Sequence, residues 1–301
     1  MPIGSPGWTF IWPWRDRRGR FVPIKAGFLL LGVLPGAWLA ACWAADALGP
    51  EKVNAALHET GLWAIRFALA ALAVTPLRAA WDWPRLPLVR RMLGVTALAY
   101  ALAHLLLYAA DQHFALAHIA REIVLRLYLT IGFVALLGLA ALGATSTDAA
   151  IRRMGTWWKR LHRLAYPIGA LAVLHFFLQS KAGFSQPVLM AGLLVWLLAW
   201  RALPEAWRAR PGALFGLALL AGLASVAIEF AWVAGATRLP AARVLQANWS
   251  FAAGLRPAHL VGLAGLVVAL VAMVRRRMRR GGAISRAVPR TASRQVPITF
   301  I

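Results

Sequence analysis

The chain has 301 residues, of which 61% are hydrophobic and 14% charged, and this composition excludes an ordinary soluble globular protein. Its net charge of +23 does not indicate nucleic-acid binding, because the Lys and Arg residues cluster in gaps between apolar runs. The single cysteine, Cys42, excludes a disulfide framework and a thiolate metal site, so any redox chemistry must use a cofactor. We therefore predict an all-α fold, a polytopic membrane helical bundle.

Eight apolar segments follow one another along the chain, and most have the roughly 17 to 25 residues that a membrane-spanning helix needs. They cover residues 26–46, 60–79, 92–110, 125–145, 162–179, 186–203, 212–235 and 258–274. The aromatic-rich start GWTFIWPW fits a segment in the headgroup region. The arm WRDRRGRFVPIK, the first apolar run and AADALG also resemble a cleavable signal, but the run is long enough to span and we interpret it so.

Basic residues are distributed unequally between the two sides of this bundle. One side, which includes both chain ends, receives 25 Lys and Arg residues. The other side receives 7, and Arg66 lies within the second segment; the seven are Lys52, Arg121, Arg126, Lys181, Arg238, Arg243 and Arg256. The excess of basic residues on cytoplasmic loops predicts that both termini are cytoplasmic. The same charges can contact anionic membrane lipid.

Two histidines lie at one predicted depth in the bundle. His104 follows Arg91 by thirteen residues in the third segment, and His175 follows Leu161 by fourteen in the fifth. At about 1.5 Å per residue, both lie roughly 20 Å from the inner face. Two facing imidazoles can take both axial positions of a haem iron, which satisfies polar rings that are costly to bury. A helix-to-helix hydrogen bond or a proton path is the alternative for any one histidine, and the matched depth favours haem ligation.

His162 lies near the inner end of the fifth segment, with Pro167 between it and His175. Pro167 cannot bond the Arg163 carbonyl and is predicted to bend the helix. A partner for His162 on the third segment would stand at the position of Arg90. His162 can therefore hold a haem with another ligand or lie beside a flavin.

Other polar residues were assigned by depth alone. His58 contacts a haem edge or lies at the water interface, and His113, His118 and His259 are expected to be solvated or interfacial. Haem propionates need cationic partners, and the outer-side candidates are Arg66, Arg121 and Arg126. Glu229, near the outer end of the seventh segment, is expected to reach water.

Four stretches carry a resemblance to a known family. They are HETGLWAIRFALAALAVTPLR (58–78), RRMLGVTALAYALAHLLLYA (90–109), LYLTIGFVALLGLAALGATSTDAAIRRMGTWWKRLHRLAYP (127–167) and LHFFLQSK (174–181). They resemble the haem-binding membrane subunit of the periplasmic protein-methionine-sulfoxide reductase system, the MsrQ/YedZ family. That family is similar to the transmembrane domain of ferric reductases and NADPH oxidases. The similarity covers roughly residues 25–203.

The resemblance implies an electron-transfer subunit of an oxidoreductase complex in the bacterial inner membrane, without a catalytic site of its own. A cytosolic NAD(P)H flavin reductase would supply electrons, haem b and FMN would carry them, and a periplasmic molybdopterin-containing subunit would reduce oxidised methionine in proteins. By this similarity His104, His162 and His175 occupy haem-linked positions. The chain contains no nucleotide-binding G-x-G-x-x-G between a strand and a helix, so the reductant must come from a partner.

The resemblance also divides the chain into four parts. Residues 1–25 form a cytoplasmic or interfacial arm, 26–204 a six-helix ferric-reductase-like haem-binding core, 205–274 an extra pair of helices, and 275–301 a basic, disordered tail. Leu127 stands where the family often has proline. A ferric or cupric metalloreductase is the second functional candidate, and a transporter with a proton-coupled histidine path is the third.

Overall fold

The computed structural model describes residues 14–15, 19–180, 183–251 and 254–287, with side chains up to residue 279. In these residues every regular element is a helix, and an isolated bridge joins Arg15 to Phe21. The helices are α1 (Pro23–Ala44), α2 (Lys52–Trp81), α3 (Arg90–Asp111), α4 (Leu116–Leu125), α5 (Leu127–Ala144), α6 (Asp148–Met154), α7 (Thr156–His162), α8 (Ala165–Gln179), α9 (Ser185–Ala202), α10 (Pro211–Ala236), α11 (Ala241–Ala247) and α12 (Pro257–Ala287). The 3₁₀ turns Leu86–Val89 and Glu205–Trp207 precede α3 and α10.

The eight predicted spans are all present in the described part of the chain, so the protein is a multi-pass membrane protein. The spans are α1, α2, α3 with its preceding turn, α5, α7 with α8, α9, α10 and α12 as far as Arg279. Among the starts of the spans, the largest difference from the prediction is that of α2, at Lys52 instead of residue 60. The added residues, 52–59, include Ala, Leu, Asn and Glu and extend the helix beyond its apolar part. Leu57 lies in this extension.

Short helices occupy the connections that hydropathy left unassigned. The Thr147 hydroxyl accepts a hydrogen bond from the Ala150 N–H at 3.1 Å and caps α6. Gly155, with φ of +54°, separates α6 from α7 in a conformation that side chains disfavour. Near Pro167, where a bend was predicted, the helix is interrupted, because α7 ends at His162 and α8 begins at Ala165. Pro167 lacks the N–H that would continue the helix from the Arg163 carbonyl.

The last two spans belong to the same packed core as the preceding helices. One buried cluster joins α2, α8, α9, α10 and α12, with members such as Ile65, Val173, Leu197, Leu214 and Ala269. At the outer end of this cluster, the rings of Phe177 in α8 and Trp232 in α10 lie 4.9 Å apart. The division into a core and an extra pair of helices therefore does not correspond to a gap in the packing.

The arginine-rich end of α12 is helical where disorder was expected from residue 275. The helix continues to Ala287. The Arg275 guanidinium donates to the Trp81 carbonyl at 2.6 Å, and Arg279 forms an ion pair with Asp82 at the end of α2. These contacts hold the start of the predicted tail against α2. The rest of the tail, from residue 288, and the aromatic-rich start up to Pro13 lie outside the described residues.

Candidate functional site

The structure brings the rings of His104 in α3 and His175 in α8 together. Their centroids lie 6.3 Å apart and their planes are inclined by 84°. Both side chains are partly buried among the helices. The two residues are 71 positions apart in sequence, so the meeting depends on how α3 and α8 are placed by the bundle. The prediction that the rings share one level agrees with this geometry.

Each ring is held by a backbone carbonyl of a neighbouring helix. His104 Nδ1 lies 2.8 Å from the Leu57 carbonyl oxygen in α2, and His175 Nδ1 lies 2.7 Å from the Tyr128 carbonyl oxygen in α5. A carbonyl can only accept a hydrogen bond, so Nδ1 must carry the proton in both rings. In a neutral imidazole the lone pair is then on Nε2. No hydrogen bond to either Nε2 is formed within the described residues.

The donor set fits a metal held by two imidazoles. A bond of about 2 Å from each nitrogen to a metal, with roughly 1 Å from nitrogen to ring centre, separates the two centres by about 6 Å. The observed separation is 6.3 Å. No group of three or more His, Cys, Asp or Glu residues suited to a metal occurs in the described residues. Two histidines without carboxylate or thiolate partners suit an iron whose other positions are filled by a porphyrin.

The third histidine of the prediction, His162, lies away from this pair at the C-terminal end of α7. Its ring stacks on Trp158 with centroids 3.9 Å apart, and its Nδ1 lies 3.1 Å from the Trp158 carbonyl oxygen. Its Nε2 lies 3.5 Å from the Ser146 hydroxyl. Arg90, the residue at the expected partner position, is the first residue of α3. The structure therefore does not join His162 to the other two histidines.

The remaining predicted cofactor contacts are dispersed around the pair. His58 is exposed, and its Nδ1 lies 2.9 Å from the Asn54 carbonyl oxygen. The Arg66 guanidinium covers the Trp63 ring at 4.7 Å. Arg126 is exposed and forms an ion pair with Glu122. The role of these residues at a cofactor stays a prediction.

Arg126 is nevertheless connected to the histidine pair through one residue. Its guanidinium donates to the Tyr128 hydroxyl at 3.2 Å, and the Tyr128 carbonyl holds His175. The hydrogen bond to Tyr128, and then the charge of Glu122, raise the pKa of Arg126. A positive charge therefore lies at the N-terminal end of α5, close to Tyr128, whose carbonyl orients His175.

A polar cluster at the outer end of α10 and α12 was not predicted. The Glu229 side chain is fully buried and accepts hydrogen bonds from Asn248 at 2.7 Å and Arg256 at 2.5 Å. His259 Nδ1 accepts from the Arg256 N–H, and its Nε2 donates to the Asn248 carbonyl. The expectation that Glu229 reaches water is therefore wrong, whereas His259, expected to be solvated or interfacial, is half-buried with both ring nitrogens bonded. The loop between α10 and α12 folds back and satisfies both side chains, whereas His113 and His118 are exposed as expected.

The carbonyls of Leu57 and Tyr128 were missed by the sequence reasoning because no side-chain pattern marks a backbone acceptor. The departure at Leu127 is explained, however. Leu127 is the first residue of α5, and Arg126 before it has an extended backbone with φ of −106° and ψ of 106°. Proline suits the first position of a helix after an extended residue. The backbone at this helix start is therefore one that proline would also fit.

Fold and site together define a multi-pass helical membrane protein with a partly buried pair of histidines, each oriented by a backbone carbonyl. Residues 60–173 match the family described as ferric reductase like transmembrane component, a match that includes His104 and ends two residues before His175. No protein of known structure matches the chain significantly.

Curated relatives identify the family more narrowly. The chain is 42% identical over 200 residues to the protein-methionine-sulfoxide reductase heme-binding subunit MsrQ of Rhodospirillum rubrum, with 66% of this chain and 94% of that protein covered. It is 48% identical over 158 residues to the protein of the same name from Xanthomonas oryzae pv. oryzae, with 52% and 72% covered. The chain belongs to the MsrQ family.

Proposed function

We propose that the chain is the haem-binding membrane subunit of a protein-methionine-sulfoxide reductase system. Electrons from a cytosolic NAD(P)H flavin reductase would pass through the chain to a periplasmic molybdopterin-containing subunit. The observation that carries the proposal is the pair of rings 6.3 Å apart with both Nδ1 atoms tied to carbonyls. Family membership supports it, because the relatives are named as heme-binding subunits of that reductase.

His104 and His175 would hold a b-type haem through their Nε2 atoms. The group supplies one-electron transfer, a chemistry that the protein side chains present here do not provide. The chain's own contribution is to bury the ligands, fix their tautomer and surround them with apolar side chains. Reduction of a methionine sulfoxide needs two electrons and two protons and yields methionine and water. The catalytic subunit would therefore collect two electrons, one at a time.

The proposal also includes a second electron carrier near His162. His162 lies near the arginine-rich face, on the side of the bundle where a cytosolic donor would approach. We place a second carrier there, either a haem with another ligand or FMN. His58, Arg66 and Arg126 remain candidates for contacts at the outer cofactor.

The orientation follows from charge, since 25 of the 33 Lys and Arg residues fall on the side of the chain termini. We propose a bacterial inner-membrane location with that face in the cytoplasm, where it can contact anionic lipid and steer an acidic reductase. Residues 26–204 would form the haem-binding core and 205–274 the extra helices.

The first test is a reduced-minus-oxidised visible spectrum of the purified full chain with haem quantitation. We expect a b-type band that is lost in His104→Ala and in His175→Ala. His118→Ala, which removes an exposed imidazole on α4, is the matched control and should keep the band. Absence of the band from the unsubstituted chain, or full haem retention in both site variants, would refute the proposal.

A metalloreductase is the second candidate, favoured by the match of residues 60–173 to the ferric-reductase-like family. The two functions differ in the electron acceptor. The reduced chain should be reoxidised by the periplasmic catalytic subunit together with a methionine sulfoxide substrate. Equally fast reoxidation by a ferric chelate without that subunit would favour the metalloreductase.

A further inference from the structure

The two histidines share a repeated backbone arrangement. The carbonyl that holds His104 belongs to Leu57, and Gly61 follows four residues later in α2. The carbonyl that holds His175 belongs to Tyr128, and Gly132 follows four residues later in α5. The same device thus occurs twice, on two unrelated helices, at the two rings proposed to bind iron.

Both rings press against these glycines more closely than a side chain would permit. A Cβ atom at Gly61 would lie 2.8 Å from His104 Nδ1 and 3.0 Å from its Cε1. A Cβ atom at Gly132 would lie 2.6 Å from His175 Nδ1 and 2.7 Å from its Cε1. These separations are well inside ordinary van der Waals contact, so alanine at either position must push the ring away.

The spacing of four residues has a physical cause. In an α-helix the carbonyl of residue i already accepts the N–H of residue i+4, and a second donor must approach beside that bond. The approach therefore passes over the Cα of residue i+4. A residue without Cβ is needed there if an imidazole is to reach the carbonyl.

We propose that Gly61 and Gly132 are positioning residues for the two haem ligands, admitting each imidazole to the carbonyl that fixes its tautomer and ring orientation. The inference rests on the proposed function and deepens it. A ligand histidine that donates its other N–H to a carbonyl is a stronger donor to the metal. The two glycines therefore set haem affinity and, through ligand basicity, the midpoint potential.

Other glycines of the bundle supply matched controls. Gly94 in α3, the helix of His104, has no atom within 4 Å of an added Cβ. Gly138 in α5 would meet the Ile168 side chain of α8 at 2.8 Å, so alanine there crowds the same helix pair as Gly132 without touching a histidine. Alanine is the better helix former, so a loss in any of these variants is not a propensity effect.

The experiment uses the full chain purified in detergent, with Gly61→Ala and Gly132→Ala compared with Gly94→Ala and Gly138→Ala. For the first two we expect haem affinity about 10- to 100-fold weaker. Where haem is retained, the midpoint potential should be more positive and the low-spin ferric spectrum altered. The controls should keep the affinity, potential and spectrum of the unsubstituted chain. Unchanged spectra and potentials in both test variants would overturn the inference while leaving the haem proposal intact.

A double variant keeps the test decisive if Gly132→Ala folds poorly. The methyl group introduced by Gly132→Ala clashes with the His175 ring, and His175→Ala removes that ring. The yield and thermal midpoint of His175→Ala with Gly132→Ala should then equal those of His175→Ala alone. If the defect of Gly132→Ala persists in the double variant, the glycine does not act through the histidine and the inference fails. Absence of haem from the unsubstituted chain would instead refute the proposed function.

Discussion

The buried ion pair between Glu229 and Arg256 allows a quantitative prediction about the extra helices. Glu229→Leu removes an acceptor that is fully buried and leaves the Arg256 guanidinium and the Asn248 amide without it. Removing one partner of a buried pair typically costs about 3 to 5 kcal/mol. The Arg256 side chain is 19% exposed, so water screens part of the remaining charge, and we expect a value near the lower limit.

A decrease of about 3 kcal/mol in the free energy of unfolding lowers the thermal midpoint by roughly 6 to 12 °C. This conversion is the one for domains of about 150 to 250 residues. The 15 tryptophans provide an intrinsic fluorescence signal for unfolding in mild detergent. Arg243→Leu, which removes an exposed arginine from the same outer connection, is the control and should shift the midpoint little. Haem content per folded molecule should not change, because the cluster does not include the histidine pair.

The double variant Glu229→Leu with Arg256→Leu tests the physical reasoning. With both charges removed, no uncompensated charge is buried, so the double variant should be more stable than Glu229→Leu alone. A double variant as unstable as the sum of the two single variants would show that the two side chains act independently. That outcome would refute the ion-pair explanation.

Two further predictions concern the helices that carry the site. Arg201 donates to the Leu72 carbonyl at 2.7 Å, a carbonyl that Pro76 leaves without its helical N–H. Arg201→Ala should therefore lower the free energy of unfolding by about 1 to 3 kcal/mol. Adding Pro76→Ala should recover part of this loss, because alanine supplies an N–H to the Leu72 carbonyl. An equal loss with and without Pro76→Ala would contradict this pairing. Leu127→Pro should leave the unfolding midpoint and haem spectrum nearly unchanged, since Arg126 is already extended; a large loss of haem would show that the Leu127 N–H is needed.

The histidine pair shows what can be predicted by counting residues along the spans. Counting residues from the basic ends placed His104 and His175 at one level, and the structure brings their rings together. The count could not identify the helices whose carbonyls accept hydrogen bonds from the two rings. Every residue has a backbone carbonyl, and no side-chain pattern marks those that bind a histidine. Gly61 and Gly132 offered a signal, a glycine within an apolar helix, but its meaning depends on which ring lies over it.

Glu229 shows the opposite case, in which a prediction from depth was wrong. It lies near the C-terminal end of α10, where exposure to water is the simplest expectation. The structure buries Glu229 because the connection between α10 and α12 returns over the bundle and brings Asn248 and Arg256 to it. A carboxylate at that depth is stable only with such partners.

The amino-acid order alone determined the membrane class, the eight spans, the charge asymmetry and the family. The spans and the charge asymmetry are sums over single residues. The free energy of transferring a side chain from water to lipid, and the number of basic residues in a loop, depend little on distant neighbours. Tertiary structure decided which carbonyls orient the imidazoles, which glycines admit them and which charges are buried. Hydrogen bonds act over about 3 Å and require a particular direction, so their partners are known only once the helices are placed side by side.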